Sequence, residues 1–557
     1  MLLMIPAASA STLIVDDGGS GNFTRIQDAI NASVANDEII VRGGTYQERL
    51  VVDRSIMLRG DGNPVVDGNG ANDPAISITA ANVTLVGFTV TNTAVKCKSG
   101  AIMVESRGSL LLNNTIRNNS GAGIILLDSG NHLISGNHVY DNGGEGIVLI
   151  NSDNNTLLGN GVHHNERCGI SITGSAKNNL MGNEVVDNTE NGIAIYNSGL
   201  ITLSYNNINC NKEEGVYVSD SIRINIMRNV VYENLHSGIT LCNFSDRNFV
   251  VQNKVGKSGG LGILMTGSSD DNVIADNNLS YNGINGIGIY GCGFNLISDN
   301  NILDNSDHGI SLRDNSNHNE ISENSVHNNM RDGLHMEECN SNFILMNDIY
   351  DNQNGFILEH SDNNSLLSNN IYNNEFGINI EFAQNMVLAT NCIHNNTADG
   401  AQLTHCYRNQ LLNNDIHDNE DDGLHMANSE RIIIYKNKVW NNSGYGIQII
   451  DSCIDSLVMQ NVIRNSGLGG IYLYEGEFNL IPANNLIDNH NFNAWDNGGN
   501  RWLSNFYSDY TGCDLNGDGF GDEPYVIHGR RGTISIDPAP YPLPIYPLER
   551  ASRSVSI

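Results

Sequence analysis

Four charged residues in the second half of the chain recur at intervals of 22–24 residues. They are Arg313, Glu337, Glu359 and Glu381, and His335 stands two positions before the first glutamate. A base, an acid and a cation held together are what an enzyme needs to break a bond between sugars or to remove a proton beside a uronate carboxylate. These five residues are therefore the candidate catalytic residues.

Other polar residues follow the same interval and could hold a substrate beside the first set. The candidate substrate-binding residues are Tyr290, Asp332, Asn379, Gln402 and His425. An exposed tyrosine offers a flat apolar ring on which a sugar can stack. The alternative is an ordinary acidic face in contact with solvent, and the sequence leaves both interpretations open.

A loop near the end of the chain, DLNGDGFGDEPY, has the spacing of a calcium-binding loop. Its expected oxygen ligands are Asp514, Asn516, Asp518, the carbonyl of Phe520, and Asp522. The twelfth position, where an EF-hand has a bidentate glutamate, holds Tyr525, and no helical pattern flanks the loop. The sequence therefore predicts a structural calcium site rather than a calcium sensor.

A repeat of about 23 residues must position all of these side chains. A glycine followed by an apolar residue occurs 17 times from Gly100 to Gly470, and an asparagine recurs in parallel from Asn114 to Asn484. We call these residues the marker glycines and the marker asparagines. A unit of this length is too short for two helices with their turns, and it fits one coil of a parallel β-helix with about three strands.

The alternation of side chains along a strand assigns the outer face of each coil. Residues one and three positions after a marker glycine are apolar and predicted to point inward, so those two and four positions after it are predicted to point outward. All of the candidate catalytic and substrate-binding residues except Asp332 occupy these outward positions. That residue directly precedes a marker glycine, as do His308, Asp399 and Asp422.

The predicted fold is an all-β parallel β-helix of about 19 coils. Copies of the marker asparagine are expected to stack into a ladder of amides that satisfies backbone groups at the turns. The marker glycines are expected at turns that require unusual φ and ψ angles.

Both ends of an open β-helix must be covered, because an exposed sheet edge invites aggregation. Residues 1–10 resemble the end of a secretory signal peptide, and residues 11–99 are predicted to form an N-terminal cap and the first coils. A helical pattern at 23–32 could close the first coil. The regular repeats are assigned to 100–486, an irregular C-terminal cap with the calcium-type loop to 487–548, and a tail to 549–557.

The composition excludes some classes of partner. The net charge is −33, with 62 acidic and 29 basic residues, which repels nucleic acid and anionic lipid and attracts cations. No apolar run after the N-terminus is long enough to span a membrane. The ten cysteines are scattered singly, which favours buried free thiols over a disulfide framework.

Several segments resemble a known family of secreted β-helix proteins. They are IQDAI at 26–30, GTYQE at 44–48, the repeat DHGISLR at 307–313 and the ending from Tyr507 to Tyr525. These segments resemble the family of NosD, a maturation protein of nitrous-oxide reductase, and the carbohydrate-binding and sugar-hydrolysis (CASH) β-helix modules. The resemblance implies a right-handed β-helix at a prokaryotic cell surface, but β-helices carry many functions.

The expected function is therefore a secreted or cell-surface β-helix that binds a carbohydrate polymer or a cell-envelope glycan, with calcium stabilising its C-terminal cap. The enzyme alternative is a polysaccharide lyase, epimerase or hydrolase that uses the segment from Arg313 to His425. A third alternative is a purely structural surface-layer or adhesion protein. The copper role implied by NosD is disfavoured, because the 16 histidines and 13 methionines form no soft-ligand cluster.

Overall fold

The computed structural model describes residues 10–94 and 100–545 of the chain. Two compact units divide between Ile284 and Asn285. Each unit is a parallel β-helix in which three short strands of every coil belong to three different sheets. The protein is an all-β solenoid of about 21 turns, slightly more than the 19 expected, because the first coils and the last one lack the marker residues.

In the first unit, each coil contributes its strands to the first, second and third sheet in that order. The strands of the first sheet are Thr12–Val15, Glu38–Arg42, Met57–Asp61, Thr84–Val86, Leu110–Leu112, Leu133–Ser135, Thr156–Leu158, Asn179–Met181, Thr202–Ser204, Asn225–Met227, Phe249–Val251 and Val273–Ala275. Those of the second sheet are Thr45–Tyr46, Val65–Asp67, Thr89–Thr91, Thr115–Arg117, His138–Tyr140, Gly161–His163, Glu184–Val186, Asn207–Asn209, Val230–Tyr232, Lys254–Gly256 and Asn278–Ser280. Those of the third sheet are Leu50–Val52, Ile76–Ile78, Gly100–Val104, Ala122–Leu127, Ile147–Ile150, Ile170–Thr173, Ile193–Tyr196, Val216–Ser219, Ile239–Cys242 and Ile263–Thr266.

The second unit repeats this arrangement with ten strands in each sheet. The strands of its first sheet are Leu296–Ser298, Glu320–Ser322, Phe343–Leu345, Ser365–Leu367, Val387–Ala389, Gln410–Leu412, Ile433–Tyr435, Leu457–Met459, Leu480–Pro482 and Arg501–Leu503. Those of its second sheet are Asn301–Leu303, Ser325–His327, Asp348–Tyr350, Asn370–Tyr372, Cys392–His394, Asp415–His417, Lys438–Trp440, Val462–Arg464, Asn485–Ile487 and Phe506–Tyr507. Those of its third sheet are Ile287–Tyr290, Ile310–Arg313, Leu334–Glu337, Phe356–Glu359, Ile378–Glu381, Ala401–Thr404, Leu424–Ala427, Tyr445–Ile450, Gly469–Leu473 and Ala494–Asp496.

Stacked aliphatic side chains fill the core of each unit. In the third sheet of the second unit, Ile310, Leu334, Phe356 and Ile378 follow one another in register and are at most 1% exposed. Fully burying one such side chain stabilises the fold by about 1.5–3 kcal/mol. The nine cysteines that the structure describes form no disulfides, and six of them are buried.

The marker asparagines form the predicted amide ladder in both units. In the second unit, each side-chain N–H donates to the side-chain oxygen of the asparagine one coil later, at 2.9–3.1 Å, from Asn300 to Asn505. The same amides also bind backbone, as when Asn347 donates to the carbonyl of Ile321 at 2.9 Å. Each bond adds about 0.5–1.5 kcal/mol, so the ladder fixes the register of successive coils.

A second ladder was not predicted. It runs through asparagines that stand five residues after the marker asparagines, from Asn119 to Asn234 and from Asn305 to Asn442. These asparagines recur at a fixed distance from the marker asparagines, so the sequence alone could have predicted the second ladder.

The predicted role of the marker glycines is wrong. None of them has a positive φ; many of the left-handed positions are asparagine or aspartate residues at the turns, such as Asp351 and Asn373. The glycines lie at or next to the start of a third-sheet strand, where the next coil leaves no room. A Cβ atom at Gly309 would collide with the side chain of Val326 and approach the carbonyl oxygen of Gly333 to 2.7 Å.

A short helix lies at the start of the first unit. It spans Ile26–Ala32, inside the predicted segment, and packs against strands Thr12–Val15, Glu38–Arg42 and Leu50–Val52. Glu48 accepts hydrogen bonds from the backbone N–H groups of Ile26 and Gln27 at 2.8 and 3.1 Å, which satisfies two donors at the helix N-terminus.

The repeat continues one coil beyond its predicted end at residue 486. Strands Ala494–Asp496, Arg501–Leu503 and Phe506–Tyr507 complete this coil, with Asn493 in place of a marker glycine. An antiparallel hairpin of Tyr525–His528 and Ile534–Asp537 follows it, joined by a 3₁₀ turn at Arg530–Gly532.

Asp537 of this hairpin ends the asparagine ladder. Its carboxylate accepts hydrogen bonds from the backbone N–H groups of Ser504 and Asn505, both at 2.8 Å, and from the side-chain N–H of Asn505 at 3.0 Å. The hydroxyl of Tyr507 donates to the same carboxylate at 3.2 Å. Asp537 is fully buried, so this single side chain satisfies the donors that the last coil would otherwise expose.

Candidate functional site on the third sheet

The candidate residues of the second unit lie in two parallel columns on the outside of its third sheet. Glu337, Glu359 and Glu381 are in direct register in one column. Asn379, Gln402 and His425 are in direct register in the other. We call the outward side chains of this sheet from Tyr290 to His425 the third-sheet strip. Like charges directly opposite one another destabilise a sheet, so the glutamate column carries a cost.

One end of the strip forms an open pocket of about 360 Å³. Its lining residues are Tyr290, Arg313, Asp314, Glu337 and Glu338. Arg313 lies 3.7 Å from the carboxylate of Glu337, and both side chains are more than 40% exposed. The Nε atom of Arg313 is shielded from solvent and has no hydrogen-bond partner among the described residues, so it is the rest of the guanidinium that is open to the pocket. The pocket therefore presents a cation that its own neighbours only partly satisfy.

Tyr290 is fixed at the edge of this pocket. Its hydroxyl accepts a hydrogen bond from the side-chain N–H of Asn285 at 3.0 Å, and burial raises the pKa of Tyr290. The phenol therefore stays neutral at physiological pH.

Two predicted outward positions are covered rather than open. Ser311 is fully buried and Ile357 is 9% exposed, although both stand two residues after a marker glycine. His335 lies between them in register, and its side chain is only 12% exposed. His308 and Asp332, which stand just before marker glycines, contact His335, and strand alternation alone could not predict that cover.

His335 belongs to a buried cluster with Asp332 and His308. The Nδ1 atoms of both histidines lie 3.0 Å from the same carboxylate oxygen of Asp332, and the two rings stack at 4.5 Å. Asn354 donates to the other oxygen at 2.7 Å. Although burial opposes ionisation, the hydrogen bonds from His308, His335 and Asn354 hold the pKa of Asp332 well below its usual value.

A second cluster of the same kind lies further along the strip. His425 Nδ1 is 3.5 Å from carboxylate oxygens of both Asp399 and Asp422. Burial and the charge of Asp422 raise the pKa of Asp399 to about 7. Burial opposes the charged form of His425, but the hydrogen bond with Asp422 and the charge of Asp399 raise its pKa.

The structure thus divides the predicted residues into separate groups. Arg313, Glu337 and Tyr290 meet at the pocket, while His335 pairs with Asp332 and His425 lies in the other cluster. Glu359 and Glu381 continue the glutamate column, and the side-chain N–H of Asn379 lies 3.5 Å from Glu381. His308 and Asp399 were not among the candidate residues. Their position just before a marker glycine, shared with Asp332, was the signal that could have identified them.

Two family profiles match most of the chain between them. The family described as "Right handed beta helix region" matches residues 51–200 and 125–279. The family described as "Periplasmic copper-binding protein (NosD)" matches residues 285–443 and 331–512. The chain belongs to the NosD-like right-handed β-helix repeat family. The strip and both clusters lie in the part that the NosD profile matches.

Similar individual proteins are distant. A cell surface glycoprotein of Methanothermus fervidus is 34% identical over 101 residues, which is 18% of this chain and 16% of that protein. The Dettilon tailspike protein matches at 13% identity over 59% of each chain, with a TM-score of 0.35. The A-module of the mannuronan C-5 epimerase AlgE4 of Azotobacter vinelandii matches at 14% identity over 72% of this chain and 92% of its own, with a TM-score of 0.28. Neither TM-score reaches 0.5, so neither similarity bears on function.

Aromatic residues on the second sheet of the second unit form a different surface feature. Six rings stack with centroid distances of 4.2–5.1 Å: His327, Tyr350, Tyr372, His394, His417 and Trp440. The faces of the four inner rings are covered by their neighbours, which leaves only edges for a ligand. Tyr472 is covered in the same way by Tyr445 and Trp495. These stacks stabilise the sheet by cross-strand contact and offer little area for a sugar ring.

The calcium-type loop is exposed and closed by its own side chains. Both carboxylate oxygens of Asp514 accept backbone N–H groups, from Gly517 at 2.7 Å and from Gly519 at 2.9 Å. Asp522 accepts the N–H of Leu515 at 2.5 Å. The donor set is all oxygen, which suits calcium. Its three carboxylates do not converge within 4.8 Å of one another, unlike the two histidine-containing clusters, so an ion would have to draw the loop inward.

Among the described residues, no helix is long and apolar enough to cross a membrane.

Proposed function

We propose that this protein is an extracellular or cell-surface β-helix that binds a carbohydrate polymer along the third-sheet strip. The pocket around Arg313 carries this proposal. It is open, it is edged by a tyrosine, and its half-exposed arginine is paired only loosely, with Glu337 at 3.7 Å from Nε. A uronate carboxylate could pair with the exposed part of this guanidinium in a charge-assisted hydrogen bond.

The shape of the strip favours a polymer over a small sugar. Its polar residues recur once per coil, so a ligand meets a polar side chain about every 4.8 Å along the sheet. An extended chain can contact several coils at once, and linked weak contacts add to a useful affinity. The name of the Methanothermus fervidus relative and that of the NosD family support a location outside the cytoplasm.

Replacing Arg313 with alanine is expected to weaken binding of uronate oligosaccharides about tenfold, because one charge-assisted hydrogen bond is lost. Binding is measured on an array of uronate and neutral oligosaccharides and then by calorimetry with the best ligand. Arg247→Ala is the control, since Arg247 is an exposed arginine, paired with Asp271, in the first unit. Binding to no sugar on the array would reject the proposed function, and equal loss in both variants would reject the pocket.

The same experiment separates binding from catalysis. Incubation with uronate polymers, followed by absorbance of unsaturated uronates, reports lyase activity. Glu337 stands in the pocket beside Arg313, so product that disappears in Glu337→Gln would identify a lyase that uses this site. A polymer that stays intact while it is bound identifies a binding protein.

We also propose that calcium stabilises the C-terminal cap through the loop at 514–522. The loop is tied to the cap, because Tyr510 donates to the carbonyl of Glu523 at 2.7 Å and the ring of Tyr525 stacks on that of Tyr507 at 3.7 Å. Removing calcium with a chelator is expected to lower the melting temperature of the cap by a few degrees. Asp514→Ala should abolish this sensitivity. An equal melting temperature with and without chelator would rule out the calcium site.

A further inference from the structure

Two clusters on the third-sheet strip share one design. In each, a histidine stands two residues after a marker glycine and an aspartate stands just before the same glycine. The third member stands just before the marker glycine of the preceding coil. The first cluster is His308, Asp332 and His335, and the second is Asp399, Asp422 and His425.

The fold does not need these residues at these positions. The two coils between the clusters carry Asn354 with Ile357 and Phe376 with Asn379 at the equivalent places. Those coils keep the same strands and the same register as their neighbours. The histidines and aspartates therefore have a role other than forming the coil.

The ligand atoms of each cluster already converge. In both, one nitrogen or oxygen atom from every residue lies within 4.8 Å of the other two. Two of the three separations are 3.0 Å in the first cluster and 3.5 Å in the second. They bracket the roughly 3.3 Å between neighbouring ligands of a tetrahedral zinc ion with bonds of about 2 Å.

The surroundings of the first cluster leave one ring nitrogen only weakly paired. The Nε2 atom of His308 has no hydrogen-bond partner among the described residues and lies 3.5 Å from the carboxylate of Asp307, although the His308 side chain is only 3% exposed. Buried polar atoms of this kind normally have a closer partner. Asn354 holds the outer oxygen of Asp332, as a supporting residue does for a metal-binding carboxylate.

The charges of the second cluster also favour a cation. Asp399 and Asp422 are both buried, at 6% and 3% exposure, and Asp421 adjoins them. One imidazole cannot neutralise both carboxylates when both are ionised. A divalent ion between them would remove the repulsion that burial makes costly.

We propose that these clusters are two divalent transition-metal sites, each built from neighbouring coils, with imidazole and carboxylate ligands that suit zinc. Neither site contains sulfur, so neither suits a soft monovalent ion. Each has three protein ligands, which leaves a coordination position for water or for an anionic group of a ligand. The proposal is independent of carbohydrate binding at Arg313.

Zinc titration of the full chain tests the number of sites. Calorimetry with zinc chloride is expected to show two strong equivalents, one for each cluster. His335→Ala and His425→Ala should each remove one equivalent, weakening the affected site at least 100-fold, and the double variant should remove both. Circular dichroism confirms that the variants are folded.

Two further sets of variants complete the test. If the histidine variants fold poorly, Asp332→Asn and Asp422→Asn take their place, because they change fewer atoms. Each should also remove one equivalent of zinc. His163→Ala is the control for adventitious binding, because His163 and His164 form a pair with ring nitrogens 2.9 Å apart outside both clusters. No strong zinc binding, or unchanged stoichiometry in the double variant, would overturn the proposal. Loss of an equivalent in His163→Ala instead would assign that zinc to the surface pair and overturn it as well.

Discussion

Replacing Gly377 with alanine is expected to lower the free energy of unfolding by about 3 kcal/mol or more. A Cβ atom at this position would collide with the carbonyl oxygen of Gly400 and would lie 2.5 Å from the side chain of Ile393. Both obstacles belong to the next coil, which is held by its own backbone bonds and asparagine ladders. The strain cannot be relieved by moving a flexible side chain, so two coils must separate.

Urea denaturation followed by circular dichroism measures this loss, and hydrogen exchange shows whether it is confined to the neighbouring coils. Asn373→Gly is the matched control in the same coil. Asn373 has a φ of 56°, which glycine adopts freely, so this change should have little effect. If Gly377→Ala were as stable as the control, close coil contact would not be the reason for the marker glycines.

Replacing Asp537 with alanine is expected to cost about 3–5 kcal/mol and to unfold the last coils first. The change leaves the backbone donors of Ser504 and Asn505, the side-chain N–H of Asn505 and the hydroxyl of Tyr507 without their acceptor in a buried place. The hairpin would also lose its main polar link to the β-helix.

The measurement is the midpoint of thermal and urea unfolding, with proteolysis at the C-terminus as a local readout. Asp53→Ala provides the comparison, because it removes the same charge from a side chain that is 58% exposed. Asp537→Asn should fall between the two, since an amide keeps one acceptor oxygen. A wild-type midpoint in Asp537→Ala would show that the ladder does not need this terminal acceptor.

The fold was predictable because its markers repeat. The marker asparagines specified the amide ladder, and strand alternation placed Glu337, Glu359 and Glu381 in one column, as the register shows. The last coil was missed because Asn493 replaces the marker glycine and the step to Asn505 shortens to 21 residues. The role of the glycines was missed because a one-dimensional pattern shows that a side chain is absent, but not which neighbour excludes it.

The site was less predictable than the fold. The sequence assigned His335 and Asp332 to separate roles, whereas the structure joins them in one cluster with His308. Asp332 and His335 flank one marker glycine, whereas His308 precedes the marker glycine of the coil before and stacks on His335. These contacts depend on the direction in which each side chain tilts across the sheet. The repeat predicts the column in which a residue lies, but the direction in which its side chain tilts across the sheet depends on packing.

The asparagine ladders also protect the chain from chemical ageing. An asparagine followed by glycine loses its amide when the next backbone nitrogen attacks the side chain, and asparagine is accordingly a heat-labile residue. At Asn142 the amide is bound to Asn165 at 3.0 Å, the side chain is fully buried, and the following N–H of Gly143 is held by Asn119 at 2.7 Å. Asn516 precedes Gly517 in the terminal loop, where its amide oxygen accepts the N–H of Asp518 at 2.8 Å but its side chain is exposed to water. Deamidation in a long-lived extracellular protein would therefore reach that loop well before it reached the coils.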